Sequence, residues 1–564
     1  MGCHRAGWTV SASMPFLLLA ALFTENAAGA AALRLKAADY GLIADGAADD
    51  GPAIARLLAE ARGVKGPVAL IFPENGTVRV TTSPERYVFP LDGVAGLELD
   101  GGGCLFLLNP YLRFMRLAGS RGTTVRNLKV DFDPLPFVEG TVTEADAAGR
   151  FLGVKLRPGQ GDAPSGGPTR EDGEQAFFSM LWHDGPYGTV SEHCWTENIE
   201  KTGDGTLRVH CGDSFHGFEK ITPGVTRISV PVPGIAHRFG PGACFQVRDN
   251  TDALFEDVEL WSAPWFGFEL LRNGGALTFR RVHLRPRPGS GRWMSLWRDG
   301  FHVKGNSAAL RWEDCEVFGM NDDAFNISTH ASTVRRVEAP DWIVVSQAFP
   351  LGYVPWRESG MLAAADRDTG RLFPTRRIVK VEEGPPRVIS DKPAAPGEIA
   401  LTLDAPAPEL AEGVMVWDPE QANPDTLLKN CVIGMSCRMQ SPVRMEGCDV
   451  TALLWFYCEH LEGPFPSGVR ITDCTLRRGR GNPDKALIFS GQPKGNEAAP
   501  PRAIHDIVIE NSRIYGGVAV EGVENARITG NRFLEAGAAV VLRGNHGVAA
   551  EGNLDAEGNP LEPR

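Results

Sequence analysis

The chain has 564 residues, a net charge of −13, 65 glycines, 41 prolines and 11 cysteines. That length allows a large core and more than one folded unit, while an acidic balance with no basic run excludes nucleic acid and anionic membrane surfaces as partners. Abundant Gly and Pro, with no long helical periodicity after the first hundred residues, predict many short strands joined by turns.

Residues 1–31 read as a signal peptide. Arg5 precedes the apolar run PFLLLAALF, and small residues offer cleavage near Ala28 to Ala31, which predicts export to the periplasm or the medium. The run is too short to span a bilayer, and no other segment could insert in one. Thr24, Glu25 and Asn26 interrupt it, so a mis-assigned start codon is the alternative. The mature chain opens with a short amphipathic helix: Asp49 or Asp50 can cap it, and Ile54, Leu57, Leu58 and Ala61 form its stripe. Two strands follow, with a turn at Asn75-Gly76. A helix in front of a strand stack suits an open solenoid, whose first coil otherwise exposes its core and a free edge. The run Asp39-Tyr40-Gly41, Asp45-Gly46, Asp49-Asp50, Ala53-Ile54 resembles the opening of pectin-lyase-like right-handed parallel β-helices. That resemblance implies a fold and no chemistry.

An eight-residue unit then recurs: apolar, x, apolar, polar, polar, Cys or small, x, apolar. It starts at Thr123, Ala253, Leu277, Leu310, Thr426, Val443, Val469, Ile507 and Ala526. Steps such as Thr426 to Val443 (17 residues) and Val443 to Val469 (26) suit solenoid coils with variable loops. Cys315, Cys431, Cys448 and Cys474 all hold the sixth position, which predicts an inward stack of small apolar side chains. A metal site is disfavoured because no Cys-x2-Cys pair occurs; one or two disulfides stay open in an exported chain.

The unit disappears twice, and each gap holds short strands among Gly, Pro and Asp. Each is read as a small antiparallel β-barrel inserted into the solenoid. The predicted architecture is all-β: a right-handed parallel β-helix with a short N-terminal capping helix and two barrel-like insertions. Its parts are the signal peptide 1–31, solenoid 32–133, first insertion 134–236, central solenoid 237–332, second insertion 333–418 and C-terminal solenoid 419–564. Insertions gather on one face, often the binding face, so the second could wall the site described next. A free C-terminal end leaves a homodimer open.

The stretch from Trp297 to His330 carries Asp299 and the pair Asp322-Asp323, about one coil apart. Stacked strands lie about 4.8 Å apart, so these carboxyls can sit roughly 5 to 10 Å from one another, a span that includes the 6.5–9.5 Å of an inverting glycosidase. Asn-Asp-Asp is also a common turn composition. Against a bare turn, carboxylates in register repel and raise at least one pKa, and a protonated acid beside an ionised base is what glycoside hydrolysis uses. Counting twelve places from the repeat starts aligns Trp265, Asp322, Arg438 and Trp455, with Asp299 joining if its longer coil loops out PRPGSGRWMS. Glu269, His302, Asn326, His330, Gln440, Tyr457 and Glu459 cluster nearby. Trp265, Trp293, Trp297 and Trp455 can stack on sugar rings or serve the core.

WRDGFHV from Trp297 and GMNDDAFNI from Gly319 are similar to two β-helix glycosidase families. Family 28 polygalacturonases carry Asn-Thr-Asp-Gly and Gln-Asp-Asp one coil apart. Family 110, the exo-acting α-1,3-galactosidases, places one Asp and an Asp-Asp pair at matching separation and interrupts its β-helix with two β-barrels. The resemblance spans the mature chain and is closer to family 110, because the Gly-His-Gly and Arg-Ile-Lys of family 28 do not follow Asp323. It implies inverting release of terminal α-1,3-galactose from a blood-group-B-like, linear or galactan glycan. Asp322 would be the acid, with Asp299 and Asp323 orienting and deprotonating water; the reversed roles stay open. Glu269, His302, Asn326, Arg438, Trp265 and Trp455 would bind the sugar, with no metal and no cofactor required. A calcium-dependent lyase and a non-catalytic glycan-binding solenoid are the other classes.

Overall fold

The computed structural model describes residues 32–160, 163–167, 178–185, 188–235, 242–347, 354–383, 386–387, 395–457, 462–479, 484–491 and 501–564. The expected signal peptide and Glu459 lie outside the described residues.

Two parallel sheets carry the fold, one of 21 strands and one of 11. The chain alternates between them: Gly274–Leu284 lies in the larger sheet, Phe301–Lys304 in the smaller, Ala309–Glu313 in the larger again, and Phe325–Ser328 in the smaller. This is a parallel β-helix. The repeat starts stack as read, since Thr123, Ala253, Leu277, Leu310 and Thr426 pair in succession and Thr426 pairs with Val443.

Alternation explains the interior. Every second residue of a strand points inward, and the inward residues are aromatic where the two sheets face each other. Phe245, Phe268, Phe301 and Phe325 form a ladder with successive ring centroids 4.3, 5.1 and 5.2 Å apart. Phe255, Phe279 and Trp312 form another at 5.2 Å spacings. Each such pair adds about 0.5–1.5 kcal/mol beyond its buried area. Cys315, Cys431, Cys448 and Cys474 are buried inside as expected, and all nine described cysteines are free thiols. Where chain leaves the smaller sheet, a buried asparagine column satisfies the turn backbone: Asn250 N donates to Asn273 Oδ1 (3.0 Å), Asn273 Nδ2 to Asn306 Oδ1 (2.8 Å) and Asn306 Nδ2 to Asn423 Oδ1 (2.9 Å).

The entry differs from expectation in the helix cap. Helix α1 (Gly51–Gly63) does bury Ile54, Leu57 and Leu58, but no side chain caps it. The Asp50 carboxylate instead accepts from Ile43 N (2.8 Å) and Ala44 N (3.1 Å), while Asp49 accepts from Gly51 N and from Thr81 N of the next segment. The two strands on either side of the Asn75 turn, Val68–Ile71 and Thr77–Val80, form as expected, and both lie along Leu97–Leu108.

Both losses of the repeat are closed six-stranded barrels. The first runs from Phe137–Asp146 to Arg227–Pro231, and the second from Ser332–Ala339 to Met415–Trp417. Each has its own apolar core. Among the described residues no helix is long and apolar enough to cross a membrane.

Candidate active site

The three aspartates sit in the turns that lead into neighbouring strands of the smaller sheet. Phe268, Phe301 and Phe325 pair across it, and the turns continue that register: Gly267 N donates to Asp299 O (2.9 Å), and Gly300 N to Asp323 O (2.8 Å). Asp299 and Asp323 are therefore abreast. Glycine is required at this point, because a Cβ on Gly300 would lie 2.6 Å from Ala324 O and 2.8 Å from Val317 Cγ1. One oxygen from each of Asp299, Asp322 and Asp323 lies within 4.8 Å of the others. The cluster is thus tighter than the expected span, and three such oxygens could hold a hard cation.

The counted column needs correction. The outward row of the smaller sheet is Glu269, His302, Asn326, Arg438 and Trp455. Trp265 and Asp322 belong to the turns ahead of it. The cause is loop length: 16 residues separate Leu310 from Asn326, whereas 12 separate Thr426 from Arg438, so a fixed count lands on the strand in one coil and on the turn in the other.

Burial sets the electrostatics. Asp299 is 2 % exposed, and burial, then the neighbouring Asp322 charge, pushes its pKa well above the ordinary carboxylate range. Asp323 is raised for the same two reasons. Asp299 Oδ2 shares a 2.7 Å hydrogen bond with His302 Nδ1; burial and then Lys304 push His302 down to about 3, so the ring is neutral at any working pH. His302 also stacks on Phe266 with centroids 4.4 Å apart. Asp323 Oδ1 accepts from Ser436 Oγ (2.8 Å), and Arg438 Nε stands 3.8 Å from its Oδ2. Asp322 has a different environment. It is partly exposed and meets Arg298 Nε at 3.0 Å, and that guanidinium lies over the Trp265 ring at 5.1 Å. Two neutral-leaning acids thus face one carboxylate paired with a cation.

Beside them lies a buried ion network. Lys304, 1 % exposed, donates to Glu462 Oε1 (3.0 Å), Asn326 Oδ1 (2.7 Å) and Ser328 Oγ. Arg438 Nη1 donates to Glu462 Oε2 (2.8 Å), and Gln440 Nε2 to the Glu462 carbonyl (2.9 Å). Burial alone would raise the Glu462 pKa, but Lys304 and Arg438 outweigh it and hold the carboxylate below its usual range.

Asn326 and Arg438 are thus at the site, and Glu269 is one strand further, accepting from Gln246 Nε2 at 2.7 Å. His330 is partly buried, and desolvation and then Lys304 drive its pKa down to about 3. Trp297 is fully buried, stacked on Phe178 of the first barrel. Among the described residues the first insertion touches the aspartate turn: His193 Nε2 contacts the Asn321 carbonyl, and Asn321 Nδ2 donates to Phe178 O (3.4 Å). Sequence reasoning missed Arg298, Lys304, Ser436 and Glu462. Arg298 and Lys304 had a weak signal, as charges within the same short stretch as Asp299 and His302.

No model of a protein family matches the chain. It is 23 % identical over 453 residues to alpha-1,3-galactosidase B of Bacteroides thetaiotaomicron, covering 75 % of this chain and 69 % of that one. The chain is a relative of curated alpha-1,3-galactosidases. Alpha-1,3-galactosidase A of Shewanella woodyi is 23 % identical over 54 % of this chain and 52 % of its own; that of Akkermansia muciniphila is 26 % identical over 49 % and 43 %. The chain thus spans about half the length of these two relatives. Among solved structures, a family 28 exopolygalacturonase of Yersinia enterocolitica matches with TM-score 0.38 and 10 % identity, over 93 % of this chain and 79 % of that one. A mannuronan C-5 epimerase A-module of Azotobacter vinelandii matches with TM-score 0.34 and 11 % identity, over 94 % and 100 %.

Proposed function

We propose that this protein is an exo-acting, inverting glycoside hydrolase that releases terminal α-1,3-linked galactose from an oligosaccharide or glycan. The observation that carries the hydrolase reading is the unequal trio: two buried, neutral-leaning acids and one arginine-paired carboxylate around one point. The names of the relatives support the galactose specificity. The proton of Asp299 or Asp323 passes to the glycosidic oxygen as the bond to C1 breaks, and Asp322 takes a proton from the water that attacks C1. This differs from both expected assignments, Asp322 as acid or Asp299 as acid with the pair as base, and it rests on the Arg298 contact of Asp322. Ser436 and His302 orient the two acids, and the polar row holds the sugar hydroxyls. Export of the protein remains part of the proposal.

A second reading has its own observation. One oxygen from each aspartate comes within 4.8 Å of the others, a close approach that favours the ~5–5.5 Å carboxyl spacing of retaining enzymes. Proton NMR of the first-formed galactose decides: β-galactose from an α-galactoside supports inversion, and α-galactose establishes retention. Asparagine replacements test the roles. Asp322→Asn should lose activity and be rescued by azide as an added nucleophile. The variant lacking the acid should still cleave a dinitrophenyl α-galactoside, whose leaving group needs no proton. Full activity of all three variants on natural α-galactosides would remove the hydrolase reading.

A further inference from the structure

Resting on that reading, we infer that Trp455 and Tyr457 form a platform for the second sugar, the ring to which the terminal galactose is attached. The substrate class would then be an oligosaccharide whose penultimate unit is a pyranose presenting a flat C–H face.

Four tryptophans near the site could stack on a sugar. Trp265 is 5 % exposed and Trp297 fully buried, and Trp293 lies under the guanidiniums of Arg157 and Arg227, 5.7 and 5.4 Å from its centroid. Trp455 differs, with 43 % of its surface exposed. The alternation of strand Leu454–Tyr457 puts Leu454 and Phe456 inside and Trp455 and Tyr457 outside. The two outer rings stack on each other, with centroids 4.2 Å apart at 25°. A large indole left half in water on a sheet face adds little to folding. Held flat by a neighbouring ring, it suits the apolar face of a pyranose, because little side-chain freedom is left to lose on binding.

Position specifies which sugar. Trp455 pairs with Arg438, and Arg438 with Asn326. Arg438 reaches both Asp323 and Glu462, so its strand borders the point of cleavage. Trp455 is one strand beyond it, and thus about 10 Å along the stack from Asn326 at the ~4.8 Å strand spacing. That is the reach of a second ring when the first lies over the aspartates.

The test compares two substrates that share the galactose: methyl α-galactopyranoside, with no second ring, and galactosyl-α-1,3-galactose. The readout is the ratio of kcat/KM for the disaccharide to that for the methyl glycoside, in the wild type, Trp455→Ala and Trp455→Phe. The expected result is a ratio lowered about tenfold in Trp455→Ala, the size of one lost ring stack, and largely restored in Trp455→Phe. An unchanged ratio overturns the platform. Binding of both sugars by saturation-transfer NMR separates the two claims. If the wild type cleaves neither, the hydrolase reading fails, and the platform is still judged by whether Trp455→Ala weakens disaccharide binding more than galactose binding. No disaccharide binding by the wild type also overturns it.

Discussion

Replacing Glu462 by Gln removes the charge that neutralises a buried ammonium while keeping shape and one carbonyl oxygen. Lys304 is 1 % exposed and the Glu462 side chain 13 % exposed, so water screens the pair little. Removing one partner of such a pair costs about 3–5 kcal/mol. Asn326 and Ser328 still accept from Lys304, and a Gln oxygen can face one of the two cations, which places the expected loss near the lower end, about 3 kcal/mol. Thermal unfolding at pH 7 should show a Tm lower by a few degrees. The pH dependence has a definite sign. Glu462 has its folded pKa below the unfolded value of about 4.3, so its contribution is fully present above that pH and is lost as the pH falls through the folded value. The gap between wild type and E462Q should therefore narrow as the pH falls below about 4. The double variant K304M/E462L, which removes both charges, should recover part of the loss. Equal Tm at pH 7, or a gap that widens in acid, would refute the account of the network.

Burial of Asp299 and Asp323 predicts an alkaline limb of kcat/KM well above the ordinary carboxylate range, activity falling as the acid loses its proton with rising pH; a limb near pH 4–5, followed by initial rates, contradicts it. Gly300→Ala should cost about 1–3 kcal/mol in unfolding measurements through overpacking and lower kcat further, since the Cβ meets the Ala324 carbonyl at 2.6 Å and must push apart the turns carrying Asp299 and Asp323. Protonation already activates the leaving group, so EDTA followed by added calcium should leave galactose release unchanged. Activity that follows calcium and yields unsaturated sugars would transfer the aspartate trio to the lyase class.

The solenoid was legible because its strands repeat one pattern in one register. Cys315, Cys431, Cys448 and Cys474 mark the same inward place in four coils, and the stacking of Leu310 on Leu277 and on Thr426 follows from the same count. The barrels were legible as loss of that pattern. The functional row was not, because a side chain's place on the smaller sheet depends on the loop before it, and those loops differ by four residues between the coils of Asn326 and Arg438. Glu462 had no local signal at all. It lies after strand Leu454–Tyr457 and meets Lys304, 158 residues away in sequence, a pairing that no local pattern announces. The asparagine column did have a signal: Asn250, Asn273, Asn306 and Asn423 each precede a repeat start by three or four residues.

The same loops that hide the site from a periodic count also create its chemistry. A uniform coil would leave Asp299 and Asp323 on an open sheet face, solvated and ionised. The longer turn between Val317 and Phe325 instead folds the Asn321–Asp323 segment under the first barrel, where Phe178 and His193 engage Asn321. Asp299 and Asp323 are both buried beside this contact, and desolvation is the largest cause of their raised pKa. Asp322, facing outward, keeps solvent and Arg298. Three chemically identical side chains therefore have unequal surroundings, two buried and one partly exposed beside a guanidinium. On the proposed mechanism, substitutions at the barrel's contact with Asn321 are expected to shift the alkaline limb of kcat/KM, although no barrel residue need touch the sugar.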